Sequence, residues 1–70
     1  MLPQSWAKKG DLYIIRNATL SGKPFTEGAA RLIKRTPLGS MDPDEDRWLV
    51  EFDNGDRVER FINRADRVTA

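Results

Sequence analysis

The chain contains neither cysteine nor histidine among its 70 residues. Without cysteine it can form no disulfide, and nothing in its composition points to an oxidising compartment. The lack of both residue types excludes Ser-His and Cys-His nucleophiles and histidine-based metal sites. We therefore expect a cytoplasmic protein that is not an enzyme and that uses no cofactor, metal or small-molecule substrate.

Long apolar runs are also missing. No stretch approaches the roughly 20 apolar residues that span a bilayer, and residues 1–9 contain no apolar run of the kind that directs export. We expect no membrane association. A chain of this length is one domain and buries only about 60% of the surface that its unfolded form exposes. Self-association is then one way to gain stability.

Charge is unevenly distributed along the chain, although the net charge is only +1. Residues 1–41 carry +5, residues 42–56 carry −6 and residues 57–70 carry +2. If the acidic block lies at one end of a compact fold, the molecule is dipolar and has a basic surface that could meet an anionic partner. The alternative is an ordinary surface of mixed sign.

The clearest structural signal is a β-hairpin over residues 48–62. Trp48, Val50 and Phe52 alternate with less apolar neighbours, which is the period of a strand with one buried face. Asn54-Gly55 then predicts a two-residue hairpin turn, because these residue types tolerate positive φ.

Weaker signals predict the remaining elements. The pattern favours strands at residues 11–16 and 28–35, loops at 17–26 and 36–45, a helical turn at 63–66 and a last strand at Val68. Residues 1–9 are predicted to be a flexible tail, in which Trp6 either folds back onto the core or is offered to a partner.

This order of elements resembles the SH3-like barrel, and short motifs support the resemblance. They are Lys9-Gly10-Asp11, Glu27-Gly28, Trp48-x-Val50-x-Phe52 before Asn54-Gly55, and Ala65-Asp66-Arg67-Val68. The resemblance implies an all-β fold over residues 10–70: a small SH3-like five-stranded barrel with a distal Asn-Gly hairpin and one short helical turn before the last strand. KOW and Tudor modules share this fold, as do a small photosystem I subunit and the type II dihydrofolate reductases, so the resemblance indicates architecture and not activity.

The type II reductases are similar to this chain in layout, but they build a shared pore around a Val-Gln-Ile-Tyr strand. The matching stretch here is Val58-Glu59-Arg60-Phe61. The Gln and Tyr are missing, so we do not expect the reductase activity, while a similar oligomer stays open.

The expected core comes from the inward positions of the predicted strands. It comprises Tyr13, Ile15, Ala30, Leu32, Trp48, Val50, Phe52, Val58, Ile62 and Val68. Tyr13, Trp48 and Phe25 could instead form an aromatic cage of the Tudor kind, but three aromatics in so small a domain are more often core.

The first functional hypothesis is a non-catalytic interaction module that binds a protein partner or self-associates. Its basis is the charge split together with apolar positions on the outer side of the first strand, Leu12 and Ile14. The candidate partner-binding residues are Lys23, Phe25, Arg31, Asp42, Asp44, Glu45, Arg57, Arg60 and Arg64. Asp42, Asp44 and Asp46 superficially resemble a calcium loop, but Pro43 intervenes, and a solvated acidic loop is the favoured interpretation.

The alternative hypothesis is binding of single-stranded nucleic acid or RNA, as KOW and Tudor modules suggest. Lysines and arginines interleaved with Tyr13, Phe25, Phe61 and Trp6 could form a basic-aromatic face. Glu27, Glu51 and other acids on the same strands favour a different interpretation, in which cross-strand Arg–Glu pairs neutralise the arginines.

Overall fold

The computed structural model describes residues 5–37 and 41–69. In these residues four strands form one open antiparallel sheet in the order β1-β2-β3-β4. The elements are β1 (Leu12–Ala18), β2 (Pro24–Arg35), β3 (Glu45–Phe52), β4 (Arg57–Asn63) and a 3₁₀ helix (Arg64–Asp66). The predicted all-β class is therefore confirmed.

The hairpin of β1 and β2 is longer than the sequence predicts. Residues 17–26 are predicted as a loop, but strand pairing continues as far as Ala18 opposite Pro24. The chain reverses within residues 19–23, where the Thr19 N–H donates to the Lys23 carbonyl at 2.9 Å and Gly22 has a φ of 86°. The loop prediction is wrong because pairing along the hairpin satisfies backbone groups that an open loop would leave to water.

A β-bulge interrupts this hairpin. Ile15 pairs with Gly28 and Arg16 pairs with Thr26, so Glu27 is an extra residue on β2. A bulge of this kind bends the strand and increases its twist. Residues 24–29 of β2 form an arm, which contains the bulge and pairs with β1 alone, because pairing with β3 extends only from Ala30 to Arg35.

The hairpin of β3 and β4 is confirmed, but its turn differs from the prediction. The Phe52 N–H donates to the Asp56 carbonyl at 2.9 Å, and the Gly55 N–H donates to the Phe52 carbonyl at 2.9 Å. Asn54 does not have a positive φ, whereas Gly55 has a φ of 90°. The turn is therefore a three-residue loop with glycine at the left-handed position, and not a two-residue Asn-Gly turn.

The core matches most of the predicted residues. Seven of the ten predicted residues are buried, and Phe52 and Val58 pack against them while partly exposed. Val68 is wrong as a core residue, since it is 38% exposed. Ala7, which was not predicted, is buried with the core.

The C-terminal part contains the predicted helical turn but no fifth strand among the described residues. Asn63 caps the 3₁₀ helix by accepting the Ala65 N–H at 2.8 Å. After it, Arg67 forms a single bridge with Tyr13, and the Val68 N–H donates to the Leu12 carbonyl. The backbone of Val68 is therefore held by β1 although its side chain is exposed.

The N-terminal residues that the structure describes pack onto the sheet. Residues 1–4, part of the predicted flexible tail, lie outside the described residues. Trp6 packs against the core with its ring centroid 6.0 Å from that of Tyr13, and its indole N–H donates to the Pro43 carbonyl at 3.1 Å. Of the two interpretations of Trp6, the structure shows the one in which it folds back onto the core.

Candidate binding groove

A concave surface lies between the arm of β2 and the β3–β4 turn. We call it the hairpin groove; its cavity volume is about 390 Å³. Its lining comprises Glu27, Gly28, Ala29, Phe52, Asp53, Asn54, Asp56, Val58 and Arg60. The volume is within the range of about 300–1,000 Å³ that is typical of ligand sites.

The groove exists because the two hairpins are offset in register. β2 passes the end of β3 at Ala30, which is opposite Phe52, and runs on as an arm through the bulge at Glu27. The β3–β4 hairpin turns back at this level, so the arm and the turn enclose a space. Phe52 and Val58 are partly exposed and supply its apolar lining.

One wall of the groove carries an ion pair between strands that are not neighbours in the sheet. Arg60 Nε on β4 is 2.7 Å from Glu27 Oε1 on β2, and the Asn17 amide donates to the same oxygen at 2.8 Å. The hydrogen bond from Arg60 is the main cause that lowers the pKa of Glu27, with Asn17 adding to it against partial burial. Glu27 is thus a partnered carboxylate at neutral pH.

The opposite wall carries carboxylates without a cation. Within the described part of the chain neither Asp53 nor Asp56 forms an ion pair. Among the described residues the Asp56 carboxylate accepts a hydrogen bond only from the Asn54 side-chain amide, at 3.0 Å. Three carboxylates against one guanidinium give the lining a net charge of −2. The groove therefore offers an apolar lining and uncompensated negative charge to a ligand.

The nine predicted partner-binding residues do not form one site, and only Arg60 lines the hairpin groove. Lys23 and Phe25 lie at the exposed end of the β1–β2 hairpin. Arg31 donates to the Gly10 carbonyl at 2.9 Å, and Arg57 is 3.2 Å from Glu51 on β3.

The other predicted residues lie at the opposite end of the sheet. Asp42 and Asp44 are exposed, and Glu45 starts β3 instead of ending the predicted loop. The Asp44 carbonyl accepts the Arg64 N–H at 2.8 Å, and the Arg64 guanidinium stacks 5.8 Å from the Trp6 ring centroid. The structure therefore brings Asp44 and Arg64 together, but far along the strands from Lys23 and Arg57.

A second concave surface has the composition of the predicted basic-aromatic face. Arg16, Arg47, Arg60 and Phe61 line it with Asn17 and Glu59, around a volume of about 210 Å³. Phe61 is 50% exposed, and the Arg47 guanidinium lies 5.4 Å from its ring centroid.

Each arginine on this face has a carboxylate partner. Arg47 is 3.0 Å from Glu59, Arg16 is 3.1 Å from Asp66, and Arg60 is held by Glu27. Pairing of the arginines with carboxylates, the alternative to a free basic face, is what the structure shows, and the pair of Arg47 with Glu59 joins neighbouring strands. An ion pair near the protein surface contributes about 0–1 kcal/mol, so the main effect of these pairs is to neutralise the arginine charges.

The aromatic cage is not formed. Tyr13 and Trp48 are core residues, whereas Phe25 is 44% exposed on the arm and is not part of the core cluster. The Trp48 indole N–H instead donates to a buried carboxylate at the end of the sheet opposite the groove, whereas the Trp6 indole N–H donates to the Pro43 carbonyl.

That carboxylate is Asp46, which the sequence placed in a solvated loop. It is only 3% exposed and accepts hydrogen bonds from Ser5 Oγ at 2.5 Å and Trp48 Nε1 at 3.1 Å. Arg35 Nε lies 3.0 Å away. We call this region, with Ser5, Trp6, Arg35, Asp46 and Trp48, the closed end.

The electrostatics of Asp46 reflect opposing causes. Burial raises the pKa of Asp46, but hydrogen bonds from Ser5, Trp48 and the Arg47 N–H, together with the Arg35 charge, outweigh it. The pKa is therefore lowered, and Asp46 is an anion that holds the N-terminal segment to the sheet.

The sequence did not single out Asp53, Asp56 or the Gly28-Ala29 backbone. A signal was available, because Asp53 and Asp56 flank the turn that the Asn-Gly pair predicts. Their role could not be inferred, since it depends on the arm of β2 lying opposite them.

Across residues 5–37 and 41–69, no group of three or more acidic side chains is arranged to hold a metal ion. In the same residues we find no helix with the length and apolar character needed to cross a membrane. Comparison with protein-family models, curated proteins and solved structures found no match to this chain.

Proposed function

We propose that this protein is a non-catalytic interaction module whose hairpin groove binds a basic segment of a protein partner. The observation that carries the proposal is the pair Asp53 and Asp56, two carboxylates without a cation beside an apolar lining. Charge complementarity at such a rim increases association rate and selects the partner. The lack of histidine and cysteine supports a binding role, and the lack of cysteine supports a cytoplasmic location.

We also propose that the fold is an SH3-like barrel. The strand order, the 3₁₀ helix after β4 and the bridge from Arg67 to Tyr13 support it. In such a barrel the chain after the 3₁₀ helix would complete the edge of β1 as a fifth strand.

The test measures binding of a fluorescein-labelled seven-residue peptide of alternating Lys and Val by fluorescence anisotropy. A peptide with Glu in place of Lys is the charge control. We expect the Lys peptide alone to bind, and the double variant D53N/D56N to weaken it about fivefold, because each exposed charge contributes up to about 1 kcal/mol.

The matched control is the double variant D42N/D44N, which removes the same charge at the opposite end of the sheet. It should change the affinity less than about twofold, as distant exposed charges are screened. If D42N/D44N weakens binding and D53N/D56N does not, the contact surface is the acidic loop. Equal binding of the Lys and Glu peptides would contradict the groove as well.

Nucleic acid is the second candidate, favoured by Phe61 exposed among three arginines. The same binding measurement is made with a labelled single-stranded oligonucleotide at low salt. Binding that falls steeply with salt would support this candidate over the first, and the absence of binding would remove it.

A further inference from the structure

The wall of the hairpin groove formed by β2 is an unpaired strand edge. Residues 24–29 pair with β1 on one side only, because the ladder to β3 ends at Ala30. Backbone groups along such an edge are a template for another strand. In most small sheets the edge is covered or interrupted; here it faces a cavity.

The hydrogen-bond alternation identifies which groups face the groove. The Leu32 N–H donates to the Asp11 carbonyl, so the backbone of Leu32 points toward β1. In an antiparallel ladder successive residues point alternately to the two sides, so Ala30 also points to β1 and Arg31 to β3. The N–H and carbonyl of Ala29 therefore point away from β1, toward the side on which β3 would lie. The ladder with β3 ends one residue away, at Ala30.

The alternation leaves the Ala29 N–H and carbonyl outside the β1–β2 ladder. Among the described residues no turn, loop or cap hydrogen bond uses them either, and Ala29 lines the groove. Gly28 beside it has no side chain to obstruct the approach of another backbone, and a Cβ built there would meet nothing within 4 Å. One donor and one acceptor thus face an open cavity.

We propose that the basic partner segment binds as an added β-strand along β2 at Ala29, with its cationic side chains toward Asp53 and Asp56. This inference rests on the proposed function and specifies its geometry. In an extended segment the side chains alternate between two faces, so cations on one face can reach the carboxylates while apolar side chains contact Phe52 and Val58.

The bulge at Glu27 determines how much strand the edge can accept. It changes the direction of β2 on the far side of Ala29, and the ion pair of Glu27 with Arg60 closes that side of the groove. The free edge is therefore short. It suits one extended segment of a few residues and disfavours continuous sheet growth between copies of the chain.

The experiment compares the Lys-Val peptide with two versions of it, methylated on the backbone nitrogens of either the Lys or the Val residues. Only alternate residues of an added strand donate to β2, so one methylated peptide should lose about tenfold or more in affinity and the other should bind nearly as the parent does. Binding through side chains alone would leave the two methylated peptides equal.

Hydrogen exchange monitored by NMR supplies an independent readout. The Ala29 amide should exchange more slowly when the parent peptide is bound, because it gains a hydrogen bond. The Ala30 amide is the internal control, since it already faces β1 and should not change. Protection of Ala29 in the free protein that increases with protein concentration would mean that a second copy is the occupant, and would overturn the proposal.

The two proposals fail in different ways. If the parent peptide binds and D53N/D56N weakens it, but the methylated peptides are equal and the Ala29 amide is unchanged, the groove binds basic segments without strand addition. If no basic peptide binds, both proposals are wrong.

Discussion

The two ends of the sheet treat charge in opposite ways. At the closed end the carboxylate of Asp46 is buried and held by Ser5, Trp48 and Arg35. At the hairpin groove Asp53 and Asp56 are exposed, and no cation in the described residues accompanies them. A buried carboxylate requires partners, whereas an exposed one does not. The closed end is therefore expected to determine stability and the groove to be available for binding.

The backbone shows the same contrast. At the closed end the Thr36 N–H donates to the Arg47 carbonyl at 3.0 Å, and Thr36 itself is buried. At the groove the arm of β2 has one free edge, at Ala29. A small domain has few groups to leave unpaired, so a free edge beside free charge is the feature that most suggests a ligand.

The largest expected effect is from the substitution Asp46→Asn. It removes the charge that balances Arg35 and weakens the hydrogen bonds from Ser5 and Trp48. We expect a loss of about 2–4 kcal/mol in the free energy of unfolding. Urea unfolding followed by tryptophan fluorescence measures it. Asp44→Asn is the matched control and should change stability by less than about 0.5 kcal/mol. Similar losses of stability in the two variants would contradict the expectation that the buried carboxylate contributes more to stability than the exposed one.

Lowering the pH is expected to reduce the free energy of unfolding by a smaller amount. The folded-state pKa of Asp46 is lowered from 3.8 and that of Glu27 from 4.5, so the unfolded chain binds protons first as pH falls. Stability from both groups is complete above these values and is lost as pH falls through the folded-state values. Urea unfolding at a series of pH values down to about pH 3 should show the decline.

Two variants divide this acid effect between the ends of the molecule. Asp46→Asn should make the decline shallower, and Glu27→Gln should remove a smaller part of it, since Glu27 lies in the groove wall. An unchanged pH slope in Asp46→Asn would contradict a lowered pKa at the closed end.

The smallest effect on stability is expected from D53N/D56N. Both side chains are exposed and form no ion pair, so the free energy of unfolding should change by less than about 0.5 kcal/mol. Urea unfolding checks this, and the same variant should weaken peptide binding. A large loss of stability would mean that the groove carboxylates hold the β3–β4 turn and are not reserved for a ligand.

Several elements followed directly from local sequence. Alternation at Trp48, Val50 and Phe52 predicts β3, and residues 63–66 are predicted as a helical turn. These predictions succeed because side-chain period and local backbone preference act over a few residues. The first loop failed for the opposite reason: Asn17 and Thr26 have turn character, but pairing between them and their neighbours outweighs it.

The candidate site could be predicted only in part. Arg60 was named from its charge, and it does line the groove. Asp53 and Asp56 were not named, because turn residues with acidic side chains are common on exposed loops. Asp46 was assigned to solvent because its neighbours in sequence are acidic, while its actual neighbours, Ser5 and Arg35, are distant along the chain.

By itself the sequence determined the all-β class, most of the core and the absence of histidine and cysteine chemistry. These depend on composition and on the two-residue period of a strand. Only the tertiary structure decided which carboxylates are buried, which arginines are neutralised and where β2 is left unpaired. The physical reason is that these properties depend on the register between strands. The groove exists because β3 ends at Phe52 while residues 24–29 of β2 extend beyond that end. No local sequence pattern encodes this offset.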